Sequence, residues 1–366
     1  MPASLTSAES AISSAPREAA TDLPRCVLLA GSARGGTSWA LKVLDSHPSV
    51  CGCHEPFYQL NKNDSLRSLF DRLKAGQGTD EDTRRLISSA INGCVETHKP
   101  PFFRKEFLKS PAWLRTGAWM SAKALKPLKP VFQYMATGNL NRSHCLVIKN
   151  RPFPMLDRIL ESIHADAILL LRHPCGVVSS WLRGMRMGVM QANSADPVAV
   201  WARYSACLEP LGFTAQRLSS MSDAGVLAVN WLVDTLLFRQ YENSRMRTRT
   251  IVYEDLVRNP VGEWRQIFEW MEMTFDPAVE SFLTRSSKPA FDVRSLLGKR
   301  YSYFSVQRSE KSPVEAWRTD MTQKEIDEVM DIVIPHFPIE QYWPEVMSSY
   351  ANRFSATVPF GDVLTS

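Results

Sequence analysis

Two stretches of this 366-residue chain carry residue types and spacings that suit an anion. The first is Gly31-Ser-Ala-Arg-Gly-Gly-Thr-Ser38, set between a short apolar run and a helical pattern. A loop in that position presents the first backbone amides of the helix, and the positive end of its dipole, to a bound phosphate. Its spacing is that of G-x-x-x-x-G-K-[ST], yet Thr37 stands at the lysine position and the positive charge sits earlier, at Arg34. A triphosphate enzyme would want that lysine, a hydroxyl on magnesium and a later strand ending in a metal-holding aspartate. Here the later strand, Ala167-Ile-Leu-Leu-Leu171, ends in Arg172, with Ser180 about two helical turns into the next element. An arginine fork makes two charge-assisted bonds to a terminal phosphate at once. Each stretch has a plain alternative, a glycine-rich turn without a ligand and a strand-end arginine in a surface ion pair. Together they point to a ligand with separated phosphate groups, bound without a metal.

The elements that must position these residues follow from the apolar pattern. Cys26-Val-Leu-Leu-Ala30 is too short and too continuous for a helix and reads as a buried parallel strand. From Ser38 the residues Trp39, Ala40, Val43 and Leu44 recur at helical spacing up to Ser46-His47-Pro48. A helix over Met155 to Ile163 leads into the Ala167 strand, which a loop and a further helix follow. Leu146 to Ile148 and Thr250 to Tyr253 read as core strands, and Val261 to Met271 as a helix. Strands alternating with helices predict an α/β fold, a mostly parallel central sheet with helices on both faces. Residues 60–142 and 183–245 read as mostly helical. With no repeat and no long linker, one domain over 25–345 is expected, with a helical acceptor-side insertion at about 60–142. An N-terminal tail at 1–24 and a C-terminal tail at 346–366 flank it; the first has neither the basic start nor the apolar stretch of a secretory signal.

Composition narrows the class. Apolar residues make up 44% and charged residues 22%, which excludes collagen-like, coiled-coil and wholly disordered chains. No run approaches the roughly 18 apolar residues that span a bilayer. A formal charge of +5 is too small for a nucleic-acid binder and leans toward anionic ligands. The seven cysteines are odd in number, several lie in apolar runs, and Cys51-Gly-Cys53 lacks a second pair at zinc spacing. A reducing, cytoplasmic compartment fits.

Four blocks in order resemble the sulfotransferases that use 3′-phosphoadenylyl sulfate, over most of the chain from Arg25 to about Glu328. Arg34-Gly-Gly-Thr-Ser-Trp39 resembles the 5′-phosphosulfate loop, and Arg172-x-Pro174-x-x-Val177-x-x-Ser180 the 3′-phosphate motif. Tyr253-Glu-Asp-Leu-Val-Arg-Asn-Pro260 is similar to the strand-to-helix segment of the second half. Lys311-Ser-Pro-Val-Glu-Ala-Trp-Arg318 is similar to the C-terminal loop that closes over the cofactor. One departure is Gly176, where many relatives carry an acid, which touches helix capping rather than phosphate contact. The resemblance implies the P-loop NTPase-like sulfotransferase fold and sulfuryl transfer to a hydroxyl or amine without a metal, releasing adenosine 3′,5′-bisphosphate. It implies that Arg34, Gly35, Gly36, Thr37 and Ser38 hold the 5′ end, Arg172 and Ser180 the 3′-phosphate, and that Tyr253, Lys311, Ser312, Trp317 and Arg318 lie at the cofactor. Trp39 either lies against the adenine or packs in the core of its helix.

Such a transfer needs a base near the loop, and Cys51-Gly-Cys-His-Glu55-Pro-Phe57 offers His54 and Glu55. In carbohydrate-modifying relatives a glutamate before proline at about this distance is the base, which puts Glu55 ahead of His54; pairing of Glu55 with an arginine is the structural alternative. Lys149 ends the strand Leu146 to Ile148, either near the transferring group or in solvent. Lys99 to Lys129 carries eight basic residues against one acid, Glu106, with aromatic residues between them. This block lines a groove for a carbohydrate or small-molecule acceptor, rests on an anionic membrane, or is a solvated face. A lipid acceptor, a metal-dependent kinase that has lost its lysine and a non-catalytic nucleotide-binding protein are the rival readings.

Overall fold

The computed structural model describes residues 25–55, 64–74, 144–150, 156–161, 164–190, 194–244, 246–286 and 314–345, with shorter pieces between 77 and 128. The expected tails at 1–24 and 346–366, most of the basic block and both Lys311 and Ser312 lie outside the described residues. Among the described residues, five strands form one parallel sheet: β1 (Arg25–Ala30), β2 (Val50–His54), β3 (Cys145–Lys149), β4 (Asp166–Leu171) and β5 (Thr248–Val252), in the order β2-β3-β1-β4-β5. Parallel neighbours need crossovers, and helices supply them: α1 (Thr37–Asp45), α2 (Leu156–Glu161), α3 (Pro174–Arg186), α4 (Pro197–Leu208) and α5 (Asp223–Arg239); α6 (Tyr253–Arg258) and α7 (Pro260–Trp270) follow the last strand. α8 (Trp317–Asp320) and α9 (Gln323–Val333) complete the C-terminal part.

The continuous apolar runs of β1 and β4 follow from burial on both faces, each face taking every second residue. Val27, Leu29, Ile168 and Leu170 pack with α1 and α7, while Leu28, Ala30, Ala167 and Leu169 pack with α2 and Phe238. α5 is apolar almost all round because it is buried against α3, α4 and α9; Ser222 caps it. The sequence pattern placed β1, β3, β4, β5, α1, α2 and α7 to within about two residues; it gave no strand at β2, and one boundary needs correction. Tyr253 is not the last residue of the strand but the first of α6, since β5 pairs with β4 only as far as Val252.

The β1 chain end turns into α1 on one side while the chain crosses beyond β1 to reach β4 on the other. Loops at the carboxyl ends of β1 and β4 therefore diverge and leave a crevice, the position where open α/β sheets bind ligands.

Candidate functional site

Both anion stretches open on that crevice, and they touch. After β1 the chain makes a tight turn, closed by the Gly35 amide donating to the Ser32 carbonyl at 2.9 Å. Arg34 sits at φ 70° and Gly36 at φ 96°, left-handed conformations of the kind found in backbone loops that cradle anions. Gly36 is needed twice over: its φ suits glycine, and a Cβ there would lie 2.5 Å from the Tyr253 ring. Thr37 begins α1 beside it and is buried, whereas Ser38 is exposed.

Arg172 leaves the end of β4 and Ser180 lies in the second turn of α3. The Arg34 Nε donates to Ser180 Oγ at 3.2 Å, and Arg172 Nη1 donates to the Arg34 carbonyl at 2.9 Å. The Arg172 guanidinium lies over the Tyr253 ring, 4.6 Å from its centroid. Four residues from three blocks of sequence thus form one continuous surface.

α3 starts at Pro174, whose missing N–H costs nothing at the first helical position. The His173 side chain caps α3, its Nδ1 accepting from the Cys175 amide at 3.2 Å. Gly176 packs against Arg172: a Cβ there would come within 3.2 Å of its Nε and 3.7 Å of Trp317 Cδ1. The His173 ring stacks on Trp317 at 4.6 Å with planes 7° apart. Burial, reinforced by the charges of Arg318 and Arg172, pushes the His173 pKa down to about 3, so it is neutral. Its Nε2 has no hydrogen-bond partner among the described residues. Trp317 is buried against α3, and the exposed Arg318 folds back over the Trp317 ring at 4.5 Å. These two C-terminal residues therefore do reach the Arg172 side of the crevice.

At the other end, β2 and β3 pair in parallel with His54 opposite Lys149. Glu55, just beyond β2, adopts φ 49° and its amide donates to the Lys149 carbonyl at 2.6 Å. A non-glycine residue in this region stores about 1–3 kcal/mol of strain, which the surrounding pairing must hold. Lys149 Nζ donates to Glu55 Oε1, so the glutamate is paired with a lysine of the neighbouring strand. Lys149 is the last residue of β3 and is 6% exposed, which removes the solvent alternative for it. His54 Nε2 lies 3.4 Å from Ser38 Oγ, which ties this end to the start of α1. Trp39 is 6% exposed and packs edge-on to Tyr253 and Trp264, 6.3 and 5.7 Å between centroids, on the core side of α1.

Three side chains escaped the sequence reading: His173, Glu254 and Trp343. Glu254 Oε1 accepts from the His173 amide at 3.1 Å and Oε2 from the Trp343 indole at 3.2 Å. A buried acid directly after Tyr253, in a block already marked, was the available signal. Among the described residues no group of three or more His, Cys, Asp and Glu side chains is arranged to hold a metal ion. None of their helices is long and apolar enough to cross a membrane.

The chain matches the sulfotransferase domain family over residues 24–338 and belongs to that family. Sulfotransfer is therefore its general chemistry. Solved structures similar to it include the sulfotransferase domain from the curacin biosynthetic pathway, at 17% identity and a TM-score of 0.42, covering 87% of this chain and 100% of that one. The sulfotransferase domain of the Synechococcus PCC 7002 olefin synthase has 16% identity, a TM-score of 0.41 and coverages of 84% and 94%. Mouse sulfotransferase SULT7A1 complexed with PAP has 11% identity, a TM-score of 0.42 and 88% of both chains covered. No curated protein sequence matches the chain.

Proposed function

We propose that this sulfotransferase takes its sulfuryl group from 3′-phosphoadenylyl sulfate and places it on a hydroxyl, or an amine, of a carbohydrate-like or other small acceptor. The observation that carries the reading is the contact between the two anion stretches, Arg34 with Ser180 and Arg172 with the Arg34 carbonyl. One nucleotide phosphorylated at both ends fits such a surface; two unrelated anion sites would have no reason to meet.

The donor set fits the cofactor. Arg172 and Ser180 hold the 3′-phosphate, with the Tyr253 ring supporting the guanidinium. Arg34 and the amides from Gly36 to Ser38 hold the 5′ end at the start of α1, the Gly35 amide being spent on the Ser32 carbonyl. Trp317 and Arg318 border the same side. When bound, the cofactor supplies a sulfuryl group on a phosphate leaving group.

Glu55 takes the acceptor's proton at its carboxylate. Lys149, held against it, adds positive charge where negative charge builds up. His54 orients Ser38, and remains the rival base. The pairing across β2 and β3 holds all three in place, which is the positioning that in-line transfer requires.

Calorimetric titration with adenosine 3′,5′-bisphosphate tests the class. Binding of equal strength in chelator and in magnesium is expected. No binding, together with magnesium-dependent ATP turnover, would instead establish the kinase alternative.

A further inference from the structure

Tyr253 and Glu254 open α6 side by side, and both reach the Arg172 corner. The tyrosine ring lies under the guanidinium. Glu254 is 2% exposed, and each of its carboxylate oxygens is met by a neutral donor, the His173 amide and the Trp343 indole. Burial raises its pKa above the ordinary carboxylate value, and the charge of Arg172 and the hydrogen bonds it accepts offset that only in part. A carboxylate kept in so dry a place has to be matched by nearby positive charge and by donors.

The His173 N–H belongs to the peptide unit that follows Arg172. The carbonyl of that same unit, Arg172 O, accepts from the Trp231 indole at 3.1 Å. Side chains from α5 and α6 therefore grip both polar atoms of one peptide plane. That plane fixes the backbone torsion from which the Arg172 side chain departs. An arginine side chain has several rotatable bonds, and aiming it at a phosphate is entropically costly unless its root is fixed.

We infer that Glu254 is a positioning residue for the 3′-phosphate contact: it locks the Arg172–His173 peptide and balances the guanidinium charge, so that Arg172 discriminates for the 3′-phosphate. The inference rests on the cofactor reading of Arg172 given above. Glutamine at 254 keeps the shape but offers one acceptor atom to two donors and removes the charge.

The test measures dissociation constants for adenosine 3′,5′-bisphosphate and adenosine 5′-phosphate in wild type, Glu254→Gln and Trp231→Phe. In Glu254→Gln the preference for the bisphosphate falls about tenfold, the size of a weakened charge-assisted hydrogen bond, while 5′-phosphate affinity stays within about twofold. Trp231→Phe releases the opposite side of the same peptide and lowers the preference about threefold, which carries the test if Glu254→Gln does not fold. A wild type that prefers the bisphosphate, with both folded variants keeping that preference, overturns this inference alone. A wild type without any preference overturns the cofactor reading and this inference together.

Discussion

The two ends of the sheet use the same residue types in opposite ways. At the amino end, Asp166 is buried at the start of β4 and accepts from Arg25 at 2.5 and 3.0 Å and from Arg247 at 3.2 Å. Arg247 also meets Glu272 at 2.8 Å, and Arg25 donates to the Met271 carbonyl. Charge is matched locally, and the starts of β1, β4 and β5 are clamped to the turn after α7. At the carboxyl end Arg34 and Arg172 are drawn together, through a carbonyl and a hydroxyl, beside the starts of α1 and α3. Two like charges and two helix N-termini meet there, and although the buried Glu254 offsets part of the Arg172 charge, the remaining positive potential suits an anion. On the proposed reading, one end holds the fold and the other holds a ligand.

The largest effect that would break this division lies at the carboxyl end. Glu55→Gln should lower turnover about 10²–10⁴-fold, the worth of a positioned base, and leave bisphosphate affinity nearly intact. A turnover close to wild type would remove Glu55 as the base. At the amino end, Asp166→Ala leaves two arginines without their shared carboxylate. It should cost about 3 kcal/mol in a urea titration, the lower end for a broken buried pair because Arg247 is 40% exposed. Nucleotide affinity should not change; a fall would mean that the two ends are not separable.

A smaller effect is pH-dependent. The folded chain protonates His173 only near pH 3, whereas an unfolded histidine does so near pH 6.5. The unfolded state thus binds more protons between these values, so stability is full above about pH 6.5 and falls as the pH drops below it. By pH 5 the loss is about 2 kcal/mol. His173→Asn, which keeps a capping side chain, should flatten that slope in urea titrations at pH 7.5 and 5. An unchanged slope would assign the acid sensitivity elsewhere.

What the sequence showed and what it hid divide along contact distance. β1 with its glycine turn, and β4 with Arg172, were legible because a fully buried parallel strand is a short apolar run with a sharp end. β2 was not. Val50-Cys-Gly-Cys-His54 contains a glycine and no branched run, and it is a strand because it pairs with β3 at an edge of the sheet. His54 and Glu55 could be named, but their apposition to Lys149 depends on that pairing. Glu254 stayed hidden for the same reason, since its partners lie 81 and 89 residues away. The Cys51 and Cys53 side chains, alternating on β2, both face the core beside Leu146 and Ile148.

The most direct measurement compares wild type with Arg172→Ala for adenosine 3′,5′-bisphosphate and adenosine 5′-phosphate by calorimetry. Removing a charge from a desolvated phosphate contact should weaken the bisphosphate about 30-fold or more and the 5′-phosphate by no more than about twofold. Equal losses for both nucleotides, or no loss for either, would contradict a shared surface that grips one nucleotide at its two ends.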